Sequence, residues 1–535
     1  MSSESKYDQT GAFGNPDGSR ENFARYIHLE PEGLSQVNPT YVDHTISHRV
    51  IVGAKGSGKT LYLRKMEVDA LENDSIIVIR HSNQLPSTDS ILSIHKLYDD
   101  TIRTEQWSLI WRRAIFLSLA SQFYCQIQIN EKIKITTETN VDEFYKTFKH
   151  LIPKKFPTPQ SIFSQISSLI ITHGQSYKRL SSHLEDPEWD SLEYIITAHI
   201  KHSPPLVYFI DAIDEELRHA PAAWLDFQKG LFYQVMRMLR DNELGNRLHI
   251  IICIRDLVYS SVLQSEHAGR YIKDEHIKIL HWSRRSAREF LTKKIEALNS
   301  DYFIDKNKEK TITNLVGAKE IRNKKRGITE DIEDYILRHT RYFPRDIINI
   351  GNSICQEIKS QMGNRTPLSE EVISKSISSV ASIIARETLA VCGNNLAVSS
   401  LPSRAIKQEI LENFSENPIV ADVMKEIIYA FIKKIGRDEF DYDALKQAID
   451  EFQYPLDKLA EKNKFEQYRL DTVLWQHGLI GYKNRKRDKL ARFNNSSPTE
   501  PFTLPTDKPF YVLHSCLHDE IASLKYKKGT PIVCE

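Results

Sequence analysis

Residues 53–60, GAKGSGKT, have the residue types and the spacing of a loop that binds phosphate. Glycines at the fixed positions, Gly53 and Gly58, allow backbone angles at which successive N–H groups point at phosphate oxygens. Lys59 would place its ammonium group against the β- and γ-phosphates, and the Thr60 hydroxyl would bind Mg²⁺. The alternative is a glycine-rich turn that matches the pattern by chance. The predicted nucleotide-binding residues here are Gly53, Ala54, Lys55, Gly56, Ser57, Gly58, Lys59, Thr60 and Leu61.

Such a loop needs a strand before it and a helix after it, and the flanking residues predict both. The run HRVIVG at 48–53 is short, apolar and β-branched. Residues 60–73 carry apolar side chains at the spacing of an amphipathic helix. The amino end of that helix would add partial positive charge where the phosphates bind.

An acidic partner for the loop is predicted in LVYFIDAIDEE, residues 206–216. Asp211 ends an apolar strand and could hold Mg²⁺ directly or through water. Asp214 and Glu215 follow on the outgoing loop, and either could polarise the attacking water, with Glu215 favoured. The alternative is that these acids cap the next helix, where negative charge is stabilising.

Two arginines could act at the nucleotide. Arg255 ends the apolar run 248–255, would emerge at the same sheet edge as Asp211 and could sense the γ-phosphate, unless it simply pairs with Asp256 or another nearby acid. Arg345 follows Pro344, which suits the first turn of a helix. From there it could reach back to the nucleotide.

Five apolar runs predict the sheet that positions these residues. They lie at 49–52, 75–80, 206–211, 248–255 and 277–280, and they are rich in Ile and Val without clean alternation. This pattern is typical of parallel strands that are buried on both faces. Helical patterns between them predict an α/β fold with crossover connections, and residues 90–200 predict a long helical insertion.

Composition limits the class of protein further. A chain of 535 residues, 40% of them hydrophobic, predicts two to four domains. The net charge of +1 gives no overall attraction for nucleic acid or membrane, and no stretch of 18 apolar residues predicts a membrane span. The six cysteines form no C-x-x-C pair, and the polar N-terminus has no signal-peptide core, so a reduced, cytoplasmic location is expected.

Four segments follow from these patterns. Residues 1–24 predict a flexible tail, 25–282 an α/β core with the insertion, 283–395 a helical lid, and 396–535 a C-terminal helical domain. A helix is expected to open at Ser283 as its N-cap, and the loop 314–327 is expected to carry solvated charge. Near the C-terminus a helix ends at Gly478, and strand-like LIGY, a basic polar stretch and FYVLH follow, which predicts a winged helix.

The basic stretch in this last region is a candidate surface for nucleic acid. It would contact phosphates without reading sequence. The alternatives are a solvated loop or a surface for an acidic protein. Its basic residues are Lys483, Arg485, Lys486, Arg487, Lys489 and Arg492.

The order of the motifs resembles that of the additional-strand P-loop ATPases. YFIDAIDE is similar to the acidic motif of the STAND class of signal-transduction ATPases, and HTRYFPRDIIN resembles the lid motif of a bacterial branch often encoded in anti-phage defence loci. Lid helices followed by a winged helix are shared with STAND proteins and AAA+ origin-recognition-type initiators. The resemblance covers roughly residues 45–350 and, more weakly, 465–520. It departs at 90–200, since that insertion is not part of a minimal AAA+ core.

The resemblance implies an ATP-driven, Mg²⁺-dependent switch that forms a homo-oligomer or gates a separate effector protein, in prokaryotic antiviral defence. The basic stretch motivates a second hypothesis, an AAA+ initiator or loader that acts on DNA. A third is a degenerate nucleotide binder that serves as a scaffold, against which the set Lys59, Thr60, Asp211 and Glu215 argues. A metabolic kinase is disfavoured because no second substrate-binding signature is present. No guanine-specific motif is present, so ATP is the expected nucleotide.

Overall fold

The computed structural model describes residues 11–18, 20, 49–72, 76–79, 85–98, 100–125, 141–211, 221–241, 244, 247–263, 265, 268–324, 326–361, 365–399, 419–463, 469–485, 490–494, 503–521, 524, 525, 533 and 534. The elements of the first part, called here the α/β unit, are β1 (Val50–Gly53), α1 (Lys59–Leu71), β2 (Ile77–Ile79), α2 (Thr88–Leu97), α3 (Asp100–Tyr124), α4 (Val141–Thr147), α5 (Ile162–His173), α6 (Tyr177–Leu184), α7 (Glu188–His202), β3 (Leu206–Ile210), α8 (Pro221–Leu239), β4 (Leu248–Arg255), α9 (Asp256–Leu263) and β5 (Ile277–Ile279).

Further helices and strands follow the α/β unit. The middle part contains α10 (Arg284–Glu296), α11 (Ile312–Val316), β6 (Glu320–Asn323), β7 (Ile328–Asp331), α12 (Ile332–Arg338), α13 (Pro344–Lys359) and α14 (Glu370–Ser399). The C-terminal unit contains α15 (Ile419–Ile435), β8 (Glu439–Phe440), α16 (Tyr442–Asn463), α17 (Leu470–Gln476), β9 (Ile480–Lys483), β10 (Leu490–Phe493), β11 (Phe510–Leu513), α18 (Leu517–Glu520) and β12 (Val533–Cys534).

The α/β unit is built on a five-stranded sheet in the order β2-β3-β4-β1-β5, and every pairing in it is parallel. All five predicted strands are therefore confirmed within a few residues. Alternate residues of β1 enter different cores: Val50 and Val52 pack with the insertion helices, whereas Ile51 packs with α1. Helices cover both faces, which explains why the strand sequences lack polar alternation.

The predicted insertion forms helices α2–α7, which are held against the sheet mainly through α3 and α8. Trp111 Nε1 donates to the carbonyl oxygen of Phe227 over 2.9 Å, and the Trp107 and Phe227 rings meet edge to face with centroids 5.0 Å apart. A β-carbon at Gly230 would lie 2.5 Å from Trp107 Cβ, so only glycine lets α3 approach α8 this closely. The insertion thus shares one hydrophobic core with the sheet.

The middle part confirms two local predictions. Ser283 caps α10, since its hydroxyl accepts a hydrogen bond from the Ser286 N–H. Pro344 occupies the first turn of α13, as expected for a residue with no N–H to satisfy there.

The prediction of solvated charge over 314–327 is wrong for part of that segment. The segment enters a β6–β7 hairpin, and Arg326 is buried in an ion pair with Asp438 of the C-terminal unit. The prediction of a flexible tail over 1–24 is also wrong for residues 11–18, which pack against α1 and α13. Phe13 is only 2% exposed and belongs to the core of the middle part.

The C-terminal unit has a second sheet in the order β12-β10-β9-β11-β8. Strand β9 pairs antiparallel with both β10 and β11, and Gly478 (φ 67°) turns the chain from α17 into β9. The predicted helix and the two predicted strands are present, and β10 is an additional strand at the end of the basic stretch. Across the described ranges, no helix has the length and hydrophobicity needed to cross a membrane.

Candidate functional site

The glycine-rich loop, residues 53–58, joins β1 to α1 at the carboxyl edge of the parallel sheet. Gly56 and Gly58 have φ angles of 93° and 97°, in the left-handed region that glycine adopts without steric cost. Gly58 is also the N-cap of α1 and supplies no side-chain cap. The amino end of α1 is therefore open to an anion, which its N–H groups and dipole would stabilise.

Lys59 and Ser57 supply polar groups beneath this loop. Lys59 is 5% exposed, and its Nζ donates to the carbonyl oxygens of Gly53 (2.8 Å) and Ala54 (3.1 Å). Ser57 is fully buried, and its hydroxyl has no hydrogen-bond partner among the residues that the structure describes. Buried polar groups are normally paired, so this hydroxyl suits a loop that binds a polar ligand.

Strand register brings Arg255 to this loop. Arg255 ends β4, pairs in register with Gly53, and is 5% exposed. Asp211 comes directly after β3, whose last residue, Ile210, is in register with Ile252 of β4. Asp211 is half-buried at the same carboxyl edge as the loop. Arg255 and Asp211 therefore both lie at the carboxyl edge of the sheet, while Asp214 and Glu215 lie outside the described residues.

Arg345 lies against the loop from the side of α13. Its backbone N–H donates to the Gly56 carbonyl oxygen over 3.4 Å, and a β-carbon built on Gly56 would lie 3.1 Å from Arg345 Cβ. Its Nε donates to the carbonyl oxygen of Pro16 over 3.1 Å. The structure thus brings Arg345 to the loop and engages its guanidinium group with the N-terminal segment.

A cavity extends from the loop to the C-terminal unit. Its lining includes Ala54, Lys55, Arg255 and Asp256 from the α/β unit, and residues 476–478 and His514 from the C-terminal unit. The turn before α13 and one face of α14, including Glu387, complete the lining. The participation of the C-terminal unit in this edge did not emerge from the sequence, because no local pattern links residues separated by more than 200 positions.

Charged groups are concentrated around the cavity. Arg341 pairs with Asp346 through two hydrogen bonds of 3.0 Å. Burial opposes the charge of Arg341, but the Asp346 carboxylate prevails and raises the pKa of Arg341. Burial, reinforced by Arg341, lowers the pKa of His514 to about 4. Burial likewise lowers the pKa of His477, against the attraction of Asp256. Both histidines are therefore neutral at pH 7.

Tyr342, which also lines the cavity, has an unusual backbone conformation. Its φ angle is 64°, and it is the one non-glycine residue with positive φ in the described part of the chain. Its N–H donates to Thr340 Oγ1 over 3.1 Å, and the residue is 2% exposed. Such a conformation costs about 1–3 kcal/mol and persists where its surroundings impose it, often at functional sites.

The oxygen donors at the edge fit a magnesium ion. Thr60 is half-buried in the first turn of α1 and offers a hydroxyl, and Asp211 offers a carboxylate. Mg²⁺ prefers oxygen ligands of this kind together with phosphate oxygens and water. No group of three or more His, Cys, Asp or Glu residues in the described part of the chain forms a metal site by itself.

The predicted nucleic-acid surface divides into different environments. Lys483 is 5% exposed and its Nζ contacts Glu439 Oε2 over 2.7 Å, so it is an interior ion pair and the prediction is wrong for this residue. Arg485 and Arg492 are exposed. Lys486, Arg487 and Lys489 lie outside the described residues.

Comparison with protein-family models and with curated proteins finds no match for this chain. The chemistry of the site therefore rests on its own residues. The loop combines backbone N–H donors, a buried ammonium group and an unpartnered hydroxyl, and two arginines flank it. This set suits a polyanion.

Proposed function

We propose that the chain is a P-loop ATPase that binds and hydrolyses ATP with Mg²⁺ at the glycine-rich loop and acts as a nucleotide-controlled switch. The observation that carries this proposal is the loop between β1 and α1, whose positive-φ glycines, buried Lys59 and neighbouring Arg255 suit a polyphosphate. Ala54 and Lys55 of the loop also line a cavity together with residues 476–478 of the C-terminal unit, so a ligand whose phosphates alter this part of the loop would bias the contact between the two units. A ligand shifts an equilibrium only through such differential contacts.

The residues of the loop have distinct roles in this proposal. Backbone N–H groups at the amino end of α1 hold the phosphates, and Lys59 exchanges its two carbonyl partners for phosphate oxygens. Thr60 and Asp211 hold the metal, which neutralises charge on the β- and γ-phosphates when bound. Arg255, beside Gly53, stabilises charge that develops on the γ-phosphate. Glu215, favoured from its position after Asp211 in the sequence, orients the attacking water.

The strand order supports the assignment to the additional-strand group. Strand β4 lies between β1, which leads into the glycine-rich loop, and β3, which leads to Asp211. Helix α17 with β9, β10 and β11 supports a winged helix in the C-terminal unit. The output of the switch would be homo-oligomer formation or the gating of a separate effector protein, in an antiviral role.

The test measures nucleotide binding, turnover and particle size together. A fluorescent ATP analogue is titrated against wild type, Lys59→Ala and the control Lys65→Ala, whose lysine pairs with Asp69 on the surface of α1. We expect Lys59→Ala to weaken binding by about 100-fold, as loss of a charge-assisted phosphate contact predicts. Lys65→Ala should bind as wild type does.

Phosphate release and light scattering are then followed with ATP and with ADP. We expect Mg²⁺-dependent release that Glu215→Gln abolishes while binding persists, and a particle size that differs between the two nucleotides. Wild type that binds neither nucleotide would contradict the ATPase proposal. Turnover with identical particle size and identical partner binding in ATP and ADP would contradict the switch alone.

A further inference from the structure

Residues 11–18, AFGNPD with its flanking glycines, form a segment that is fixed onto α13. The Phe13 N–H donates to Asn352 Oδ1 over 2.8 Å, and Asn352 Nδ2 donates to the Gly14 carbonyl oxygen over 2.9 Å. The Phe13 ring covers Gly351, where a β-carbon would lie 2.3 Å from the ring. Both the oxygen and the nitrogen of the Asn352 amide are therefore bonded to the segment's backbone, and Gly351 provides the space for the Phe13 ring.

The same segment also reaches α1. Arg64 donates to the Gly18 carbonyl oxygen over 2.5 Å, and Gly18 lies so close to Leu61 that its β-carbon would be 3.2 Å from the Leu61 nitrogen. Between these two attachments, the Pro16 carbonyl oxygen accepts from Arg345 Nε. Residues 11–18 thus contact α1, which follows the glycine-rich loop, and α13, which borders that loop. They also contact Arg345, which lies against the loop.

We propose that residues 11–18 act as a clasp that positions Arg345 and the amino end of α13 at the nucleotide site. The inference rests on the proposed function, because positioning has a consequence only if the loop binds a nucleotide. α13 begins at Pro344, two residues after the positive-φ residue Tyr342, and its amino end meets the loop through the hydrogen bond from the Arg345 N–H to the Gly56 carbonyl oxygen. The clasp adds a second connection between α13 and α1 and so restricts where Arg345 can lie. Restricting a binding group before the ligand arrives lowers the entropy lost on binding.

The decisive variants are Phe13→Ala, which removes the anchor, and Gly351→Ala, which adds one methyl group where the ring lies. Alanine is favoured over glycine inside a helix, so Gly351→Ala displaces Phe13 without weakening α13 itself. The control is Gln356→Ala, an exposed position on the same helix. Hydrogen–deuterium exchange of residues 11–18 shows whether the clasp has been released, and thermal unfolding shows whether the rest of the chain remains folded.

The readout is the dissociation constant for a fluorescent ATP analogue in a double-mutant cycle between Phe13→Ala and Arg345→Ala. We expect each single change to weaken binding about 5- to 10-fold and the double variant to be little weaker than either, because the clasp acts through Arg345. Gly351→Ala should match Phe13→Ala, and Gln356→Ala should match wild type. Fast exchange of residues 11–18 in both displacing variants should accompany the loss.

Three results would overturn the inference. Unchanged nucleotide affinity in Phe13→Ala with a released segment would show that the clasp is only structural. If the two losses of nucleotide affinity multiply in the double variant, the clasp does not act through Arg345. A wild-type chain that binds no nucleotide would overturn the proposed function and this inference together, whereas the first two results leave the ATPase proposal intact.

Discussion

At the scale of single residues, the glycine-rich loop leaves no room for additional atoms at Gly53. A β-carbon there would lie 2.5 Å from Ser57 Oγ and 3.4 Å from Lys59 Cγ. Ser57 is fully buried and cannot swing into solvent without reshaping the loop. The glycine requirement at this position is thus a matter of space, whereas at Gly56 and Gly58 it follows from positive φ angles.

We expect Gly53→Ala to reduce affinity for a nucleoside triphosphate by at least about 10-fold, equivalent to about 1.4 kcal/mol. The displaced Ser57 and Lys59 would no longer present their groups to phosphate. Titration with a fluorescent nucleotide measures the effect. Gly269→Ala is the matched control, because a β-carbon there meets nothing within 4 Å. Equal affinities in the two variants would contradict the steric account.

His514 makes stability depend on pH. Its folded pKa of about 4 lies below the ordinary value of 6.5, because of burial and then Arg341, with Asp346 opposing. The unfolded chain therefore binds this proton at higher pH than the folded chain does. Neutral His514 therefore contributes up to about 3 kcal/mol to the free energy of unfolding. This contribution is fully present above pH 6.5 and is lost as the pH falls towards 4.

The test compares melting temperatures at pH 7.5 and pH 5 in wild type and His514→Gln. We expect the fall in melting temperature to be smaller in the variant by a few degrees, because glutamine has no proton to bind. The control is His150→Gln, at an exposed position, and its melting temperature should fall as much as that of wild type. The same fall in all three chains would contradict a role for His514. Other buried histidines, such as His183 with a pKa lowered to about 4 by burial, explain the slope that remains.

At the scale of elements, the β9–β10 hairpin divides one basic stretch between the interior and the surface. Lys483 ends β9 and points into an interior pair with Glu439, at side-chain exposures of 6% and 5%. Arg492 of β10 lies opposite Tyr482 and is exposed. Strand alternation separates the two, since successive side chains point to opposite faces.

We expect Lys483→Ala to destabilise the chain by about 3 kcal/mol, because it removes the ammonium group that compensates the buried Glu439 carboxylate. Arg492→Ala should change stability by less than about 0.5 kcal/mol. Thermal unfolding measures both. Binding of labelled DNA at low salt, compared between wild type and the double variant Arg485→Ala/Arg492→Ala, tests the exposed residues separately. A Lys483→Ala chain as stable as Arg492→Ala would show that the interior pair is unimportant.

At the scale of the whole molecule, a buried ion pair joins the middle part to the C-terminal unit. Arg326 of the β6–β7 turn contacts Asp438, just before β8, and their side chains are 2% and 1% exposed. Breaking such a pair leaves a buried charge, whereas removing both partners is often nearly neutral. The pair therefore helps to hold the C-terminal unit, which lines part of the cavity, against the middle part.

We expect Arg326→Met to cost about 3–5 kcal/mol and Arg326→Met/Asp438→Asn to recover part of the loss. Limited proteolysis between the two units should accelerate in the single variant. Lys293→Met is the control, since its pair with Glu296 is about half exposed and such pairs contribute about 0–1 kcal/mol. If the double variant is no more stable than Arg326→Met, packing and not charge holds this interface.

The sequence by itself determined the features that depend on neighbouring residues. Apolar runs located all five strands of the parallel sheet, because a strand buried on both faces must be apolar throughout. Ser283 and Pro344 marked helix starts, because capping is settled within one turn of the chain. The glycine-rich loop lay between strand and helix as its spacing predicted.

Only the tertiary structure decided which charged and aromatic side chains are interior. Phe13 meets Asn352 across 339 positions, Arg326 meets Asp438 across 112, and Lys483 meets Glu439 across 44. A lysine in a basic stretch and an arginine in a charged loop look solvated when their partners lie far away in the chain. The cavity wall supplied by His477 and His514 has the same origin. Burial depends on the residues that pack around a side chain, and the local sequence does not identify those residues when they lie far away in the chain.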